Sequence, residues 1–324
     1  MHVRAIMLRE PGGPEALRLE EIPVGNPARN ELRIRHEAIG VNFHDIYVRS
    51  GLYSTLPLPG IPGLEAAGKV IAVGEGVKDF RVGDRIAYLD SSYGGYAEER
   101  LVDASLAVPL PDGISSALAA TVLLKGLTAI ILATRVHRVT PGQRILVHAA
   151  AGGVGRLLTK WLAHIGAEVV GTVGSEKKAE VARANGCSDV ILYRSEDFVA
   201  RVTEITGGKG VDVVFDSVGR DTFNGSLASL ALRGHLVNFG QSSGPVPAFE
   251  ISRLAIKSAS VTRAAYSHYI ENRGDLLTLA NTLWSNILNG TLQAEVGTEF
   301  ALDEAAAAHH ALEGRIKGPI ILIP

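Results

Sequence analysis

The pattern of apolar and polar positions divides the chain into two regimes. Up to about residue 122 the apolar runs are short and closely punctuated. His2 to Leu8, Leu17 to Ile22, Glu31 to Ala38, Ala66 to Val73 and Arg85 to Tyr88 read as strands, with turns at Pro11-Gly12-Gly13-Pro14, Gly74-Glu75-Gly76 and Val82-Gly83-Asp84. Glu31 to Ala38 alternates, which predicts Leu32, Ile34 and His36 on one face and Arg33, Arg35 and Glu37 on the other. Many short strands with Gly/Pro turns imply a barrel-like β domain. From 123 to 263 the period changes. Strands at 145–147, 168–173, 189–192, 211–216, 235–239 and 259–263 alternate with helical patterns such as Lys177 to Asn185 and Asp197 to Thr206. That alternation predicts a parallel, doubly wound α/β sheet. Beyond 264 come a long helix, Arg273 to Asn289, and a closing strand, Pro319 to Ile323. The strand is expected to rejoin the first domain, which then comprises 1–122 and 264–324 around a second domain of 123–263.

One stretch carries chemistry. Ile145 to Val147 reads as a buried strand, Ala149-Ala150-Ala151-Gly152-Gly153-Val154-Gly155 as a turn, and Leu157, Leu158, Trp161, Leu162 and Ile165 recur at helical spacing. Strand, glycine turn and amphipathic helix form the context of a dinucleotide site, where a pyrophosphate meets the helix N-terminus. Two later segments, Asp216-Ser217-Val218-Gly219 and Phe239-Gly240-Gln241-Ser242-Ser243-Gly244, fall at the C-terminal ends of their strands, where open parallel sheets bind ligands. An NAD site usually places a carboxylate at the tip of the second strand. Here Glu168 to Val173 ends in Gly174-Ser175, and Glu176 is followed by Lys177 and Lys178. A missing acid beside cations favours a 2′-phosphate, hence NADPH.

Composition narrows the class. The 324 residues carry a net charge of −2, so no basic surface for nucleic acid is indicated. The single cysteine, Cys187, allows no internal disulfide and fits a cytoplasmic compartment. The N-terminal stretch lacks the apolar core of a signal peptide. The most apolar window, Ala117 to Ala133, contains Lys125 and Gly126 and reads as a buried helix at a domain junction rather than a membrane span.

Several segments together resemble the medium-chain dehydrogenase/reductase superfamily, and within it the quinone oxidoreductases related to ζ-crystallin. They are Ala38-Ile39-Gly40-Val41-Asn42-Phe43-His44-Asp45, Arg49-Ser50-Gly51-Leu52-Tyr53, Pro62-Gly63-Leu64-Glu65-Ala66-Ala67-Gly68, Leu124-Lys125-Gly126-Leu127-Thr128, the Ala149–Gly155 turn, Asp216–Gly219 and Leu322-Ile323-Pro324. Lys160 departs from a glutamine common in that family. The resemblance implies a GroES-like catalytic domain beside a Rossmann domain, with NADPH bound between them. It implies Asn42, Tyr47, Tyr53, Lys125 and Thr128 near the nicotinamide end and Gly152, Gly153 and Val154 at the pyrophosphate. It places Ser175, Lys178, Tyr193 and Arg315 around the 2′-phosphate, with Gly174 at the strand end, and Ser217, Phe239, Gly240 and Ser242 along the cofactor. It also implies a homodimer, for which the Val237 to Val261 end of the Rossmann half offers an edge strand.

The same superfamily contains zinc alcohol dehydrogenases. At their three catalytic ligand positions this chain has Asn42, Leu64 and Leu124, none of them a zinc ligand, and one cysteine cannot build a four-cysteine structural site. His309 and His310 are adjacent on a helical pattern and point in different directions. Without a metal Lewis acid, reduction of an electron-poor acceptor is favoured over alcohol oxidation. The sequence therefore implies a zinc-free NADPH:quinone reductase. An NADPH-dependent enone or alkenal C=C reductase and an NADPH-binding structural or regulatory protein remain as alternatives. Tyr47, Tyr53 and Lys125 are candidate polar groups at the substrate, and Asp45 is expected to orient its neighbours.

Overall fold

A computed structural model describes residues 2–314 and 318–324. The chain divides into two compact units, Met1–Leu124 with Ile270–Leu288 and Ala294–Pro324, and Lys125–Tyr269 with Asn289–Gln293. The return of Asn289–Gln293 to the second unit has no signature in the sequence pattern.

The first unit is built on a seven-stranded sheet in the order Thr298–Ala301, Ile320–Ile323, Glu31–Val41, Glu65–Val73, Arg85–Leu89, Ala107–Pro109, with Glu99–Asp103 also paired to Glu31–Val41. Ile320 lies opposite Val41, so the closing strand does join the first unit, and it runs antiparallel to its partner. A separate hairpin, His2–Leu8 with Leu17–Pro23, is tied on by bridges from Ala5 to Ala97 and Leu8 to Gly60. Ile34, Ile39, Val41, Ile86, Tyr88, Tyr96, Leu302 and Leu322 are among the side chains that fill the core.

Glu31–Val41 corrects the simple alternation. Arg33 is buried along with Leu32 and Ile34. Its guanidinium donates to Glu99 (Nε to Oε2, 2.8 Å), which also takes Arg35 (Nε to Oε1, 3.0 Å). Irregularities between Arg33 and Ile34 and between His36 and Ala38 break the period-2 pattern, and the buried carboxylate makes an inward arginine tolerable. The strand Thr298–Ala301 and the helix Ala305–Glu313 add to the long helix Arg273–Leu288. Only the His309–His310 turn of the second helix was legible; the four-residue strand is too short to show a period.

The second unit holds six parallel strands in the order Asp189–Leu192, Glu168–Val173, Arg144–His148, Val211–Asp216, Leu230–Asn238, Ser260–Arg263. The order reverses beside Arg144–His148, which places the switch point of the sheet at the glycine turn. Leu230–Asn238 begins earlier than its alternation suggests. A register shift and Arg233 at φ 61° hide its first half from a period-2 reading. Leu146, Val170, Ile191, Val214, Phe223 and Leu236 form its core. The apolar segment 116–136 is helical throughout, ending in a wider π turn, Leu132–Val136. It is long and apolar enough to span a bilayer by length and composition, but 78% of its most apolar window is buried within the protein, which accounts for its character.

Candidate active site

In the second unit the strand Arg144–His148 delivers the chain into the glycine turn. Ala149 takes a left-handed conformation (φ 52°), Gly152 caps the helix Gly153–Ile165, and Gly152 N–H donates back to Ala149 O at 2.8 Å. The turn is so tight that a Cβ on Gly155 would lie 2.3 Å from the Ala149 carbonyl oxygen. Glycine here lets the helix approach the strand, and the first-turn amides of Gly153 and Val154 stand at the helix's positive end. The Lys125 stem lies over Gly153, its Cδ 3.1 Å from where a Cβ would be. Thr128 follows one turn along the same helix, Ser116–Ile131. The structure thus brings Lys125 to the glycine turn.

Beneath the turn lies a buried polar chain. His148 makes hydrogen bonds through Nδ1 to Thr172 Oγ1 (2.9 Å) and through Nε2 to Ser226 Oγ (3.0 Å). Ser226 in turn donates to Asp216. Burial lowers the His148 pKa, so the ring is neutral and acts as a clamp between strand ends. Asp216 accepts from the amides of Val218 (2.7 Å) and Gly219 (3.1 Å) and from Thr222, which fixes the Ser217 loop. Ser242 N–H donates to Ser217 O at 3.2 Å, and a Cβ on Gly240 would lie 2.7 Å from that same oxygen. Ser217, Gly240 and Ser242 are therefore adjacent, and Phe239 follows the strand end, its amide donating to Asp216 O.

At the tip of Glu168–Val173, Gly174 leads into Ser175, which precedes the helix Glu176–Ala184. The Tyr193 hydroxyl sits over Gly174, 2.7 Å from where a Cβ would be, and Arg194 Nε is 3.4 Å from the same point. Lys178 is half-buried and Lys177 exposed. Tyr193 is thus beside the strand end. Arg194 reaches the same strand end from the third strand's exit loop, and no local sequence pattern links it to Gly174. Arg315 lies outside the described residues.

In the first unit Asn42 caps the short helix Phe43–Arg49. Its amide N–H donates to Asp45 Oδ2 (2.8 Å), so Asp45 orients its neighbours as expected. Tyr47 and Tyr53 meet edge-on at 5.1 Å, and His44 packs edge-on to Tyr53 at 5.2 Å. Tyr96 donates to Asp45 (3.1 Å) and lies 3.0 Å from His309 Nε2, while His309 Nδ1 is 3.2 Å from Arg49 Nη1. Arg49 can only donate, so Nδ1 accepts and Nε2–H donates to Tyr96. His309 is buried and neutral, and its neighbour His310 is exposed. Burial and the Arg49 charge lower the His309 pKa to about 3.

The three positions that carry zinc ligands in alcohol dehydrogenases converge on one carboxylate. Asn42 Nδ2 donates to Glu65 Oε1 and the Leu124 amide to Glu65 Oε2, both at 2.8 Å, and Leu64 precedes Glu65 and is buried. Gly40 leaves the space for it, since a Cβ there would lie 2.3 Å from Glu65 Oε1. Among the described residues no group of three or more His, Cys, Asp or Glu could hold a metal ion.

Two family models match: the alcohol dehydrogenase GroES-like domain over residues 28–112 and the zinc-binding dehydrogenase domain over 153–282. The chain is 45% identical over 317 residues to a quinone oxidoreductase of Salmonella typhimurium, covering 97% of each. It is 42% identical over 330 residues to a 2-haloacrylate reductase of a Burkholderia species, covering 99% of each. The crystal structure of Escherichia coli quinone oxidoreductase complexed with NADPH superposes with a TM-score of 0.96 at 43% identity, over 99% of this chain and 100% of that one. The parallel sheet with its glycine turn, the strand-rich companion unit and this end-to-end likeness agree: the chain belongs to the quinone oxidoreductases of the medium-chain dehydrogenase/reductase superfamily.

Proposed function

We propose that the chain is an NADPH-dependent reductase of quinones that works without zinc. The observation that carries this is its likeness, at 42–45% identity over nearly the full chain, to enzymes named quinone oxidoreductase, one of them complexed with NADPH. The second unit supports the cofactor half. Gly152, Gly153 and Val154 receive the pyrophosphate, with Ser217, Phe239, Gly240 and Ser242 along the dinucleotide. Gly174, Ser175, Lys178, Tyr193 and Arg315 hold the 2′-phosphate, which a carboxylate at the tip of Glu168–Val173 would repel. Asn42, Lys125 and Thr128 serve the nicotinamide end, and Tyr47 and Tyr53 wall the acceptor.

Bound NADPH supplies a hydride, and the protein's part is orientation and exclusion of water. Zinc independence rests on the use of the three ligand positions: Asn42 and Leu124 are committed to Glu65, and Leu64 offers no donor atom. A second reading, reduction of an activated C=C bond, is favoured by the 2-haloacrylate reductase relative. We further propose a cytoplasmic homodimer. Cys187 is free and buried, and Ser260–Arg263 ends the second sheet with one side unpaired among the described residues. A monomer mass by light scattering would remove the dimer.

The test is oxidation of NADPH and NADH followed in parallel, with a quinone, an enal, a ketone and an alcohol (oxidised cofactor supplied), with and without chelator. NADPH-selective, chelator-resistant quinone turnover is expected. Enal turnover with a silent quinone moves the chain to the C=C reductases. Alcohol oxidation lost on chelation, or tight NADPH binding with no turnover of any acceptor, overturns the proposal.

A further inference from the structure

The first unit contains a hydrogen-bonded line that the reading above does not use. His44 lies on the helix capped by Asn42, edge-on to Tyr53 at 5.2 Å. Its Nε2 is 2.9 Å from the Tyr93 hydroxyl, and that hydroxyl also bonds Thr55 Oγ1. Tyr93 is buried and Thr55 is exposed. The line therefore begins at solvent and ends on an imidazole in the aromatic wall. The other ring nitrogen, Nδ1, has no partner among the described residues, and the residue is half-buried.

We propose that His44 is the proton donor of this enzyme, recharged through Tyr93 and Thr55; the inference rests on the reductase reading. An acceptor that has taken a hydride holds the extra electron pair as an enolate or a hydroquinone monoanion. Nδ1–H gives its proton to that oxygen: the N–H bond breaks and an O–H bond forms. Nε2 takes the Tyr93 hydroxyl proton, the Tyr93 oxygen takes the Thr55 proton, and water replaces it. The ring changes tautomer and stays neutral, so no imidazolium is created in a site that disfavours one. When product leaves, water reaching Nδ1 restores the starting tautomer. Net, the acceptor gains a hydride from the nicotinamide and a proton from solvent.

Two experiments test this. Nitrogen-15 NMR of histidine-labelled protein, without cofactor, is expected to show His44 protonated at Nδ1, the minor form of imidazole in water, and to show that preference lost in Tyr93→Phe. Protonation at Nε2 in the wild type would overturn the proposal, because Nδ1 would have no proton to give. Kinetics then use His44→Gln and Tyr93→Phe with acceptors graded by the basicity of their reduced anions. Loss of a general acid predicts a rate about 100-fold lower for an enone in His44→Gln. The loss should be much smaller for a quinone with an acidic hydroquinone, and NADPH affinity should be unchanged. An equal loss on every acceptor, or none, refutes the donor role. No turnover by the wild type with the Nδ1–H tautomer intact would sink the reductase reading, and the donor role with it.

Discussion

Acid should loosen the first unit while leaving its covalent structure intact, and the size of the effect follows from three histidines. His36, His44 and His309 are all in that unit, and burial lowers their pKa values from 6.5 to about 4, about 4 and about 3. The cause is clearest at His309, where Nδ1 accepts from Arg49. Protonation there removes the acceptor and sets two cations 3.2 Å apart. His36 is fixed similarly, between the Ala97 carbonyl oxygen (2.7 Å) and the Tyr88 hydroxyl (3.0 Å). A pKa depressed in the folded state means that the unfolded chain binds the proton first. Stability is then complete above about pH 6.5 and falls as pH drops toward the folded values. Each ring costs about 1.4 kcal/mol per pH unit within that window. Going from about pH 7.5 to about pH 5, each should remove about 2 kcal/mol, and the three together about 6. Trp284 is buried in the first unit and Trp161 lies in the second, so urea unfolding of Trp161→Phe by tryptophan fluorescence reads the first unit alone. His309→Gln should flatten the pH dependence by one proton's worth. A Trp284 transition with the same midpoint and slope at both pH values would refute the reasoning.

Further expectations concern the candidate site. Lys178→Ala should raise the KM for NADPH about 10- to 100-fold and leave NADH nearly unchanged, as loss of one charge-assisted bond to a phosphate requires; Arg194→Ala should act in the same direction, and an equal effect on both cofactors would remove either residue from the 2′-phosphate. Gly155→Ala places a Cβ 2.3 Å from the Ala149 carbonyl oxygen, so it should abolish measurable NADPH binding in a fluorescence titration, and wild-type affinity would show that the helix can retreat without cost. Tyr53→Phe preserves the edge-on contacts and should keep turnover within about three-fold of wild type, because His44 rather than Tyr53 supplies the proton; a loss approaching 100-fold would move the proton donor from His44 to Tyr53.

The second unit was legible almost strand by strand, since a parallel sheet writes each strand as a short apolar run and each helix as a longer amphipathic one. Glu168–Val173 and Val211–Asp216 are found where their runs lie. The glycine turn was legible because steric closeness leaves few residues that fit. What escaped are relations made by tertiary packing. Arg33 reads as a solvent-facing residue until Glu99 is placed beside it. His148, within an apolar run, gives no hint of the Thr172 and Ser226 hydroxyls that hold it. Glu65 gathers Asn42 and Leu124 from distant parts of the chain, and Arg194 reaches Gly174 across a strand exit, with no spacing rule to connect them.

The placement of Ile320–Ile323 bears on how the protein is made. This strand lies inside the first sheet, between Thr298–Ala301 and Glu31–Val41. Its partner Glu31–Val41 leaves the ribosome before the six-stranded unit, whereas the strand itself emerges only after that entire unit has been translated. At about 5–20 residues per second that interval lasts tens of seconds. Through it the Ile39–Val41 end of the early strand has an open ladder and apolar side chains awaiting cover. The unit encoded first is therefore the last to close, and a nascent chain stalled between the two strands would present to the cell a folded nucleotide-binding unit tethered to an unfinished, adhesive sheet.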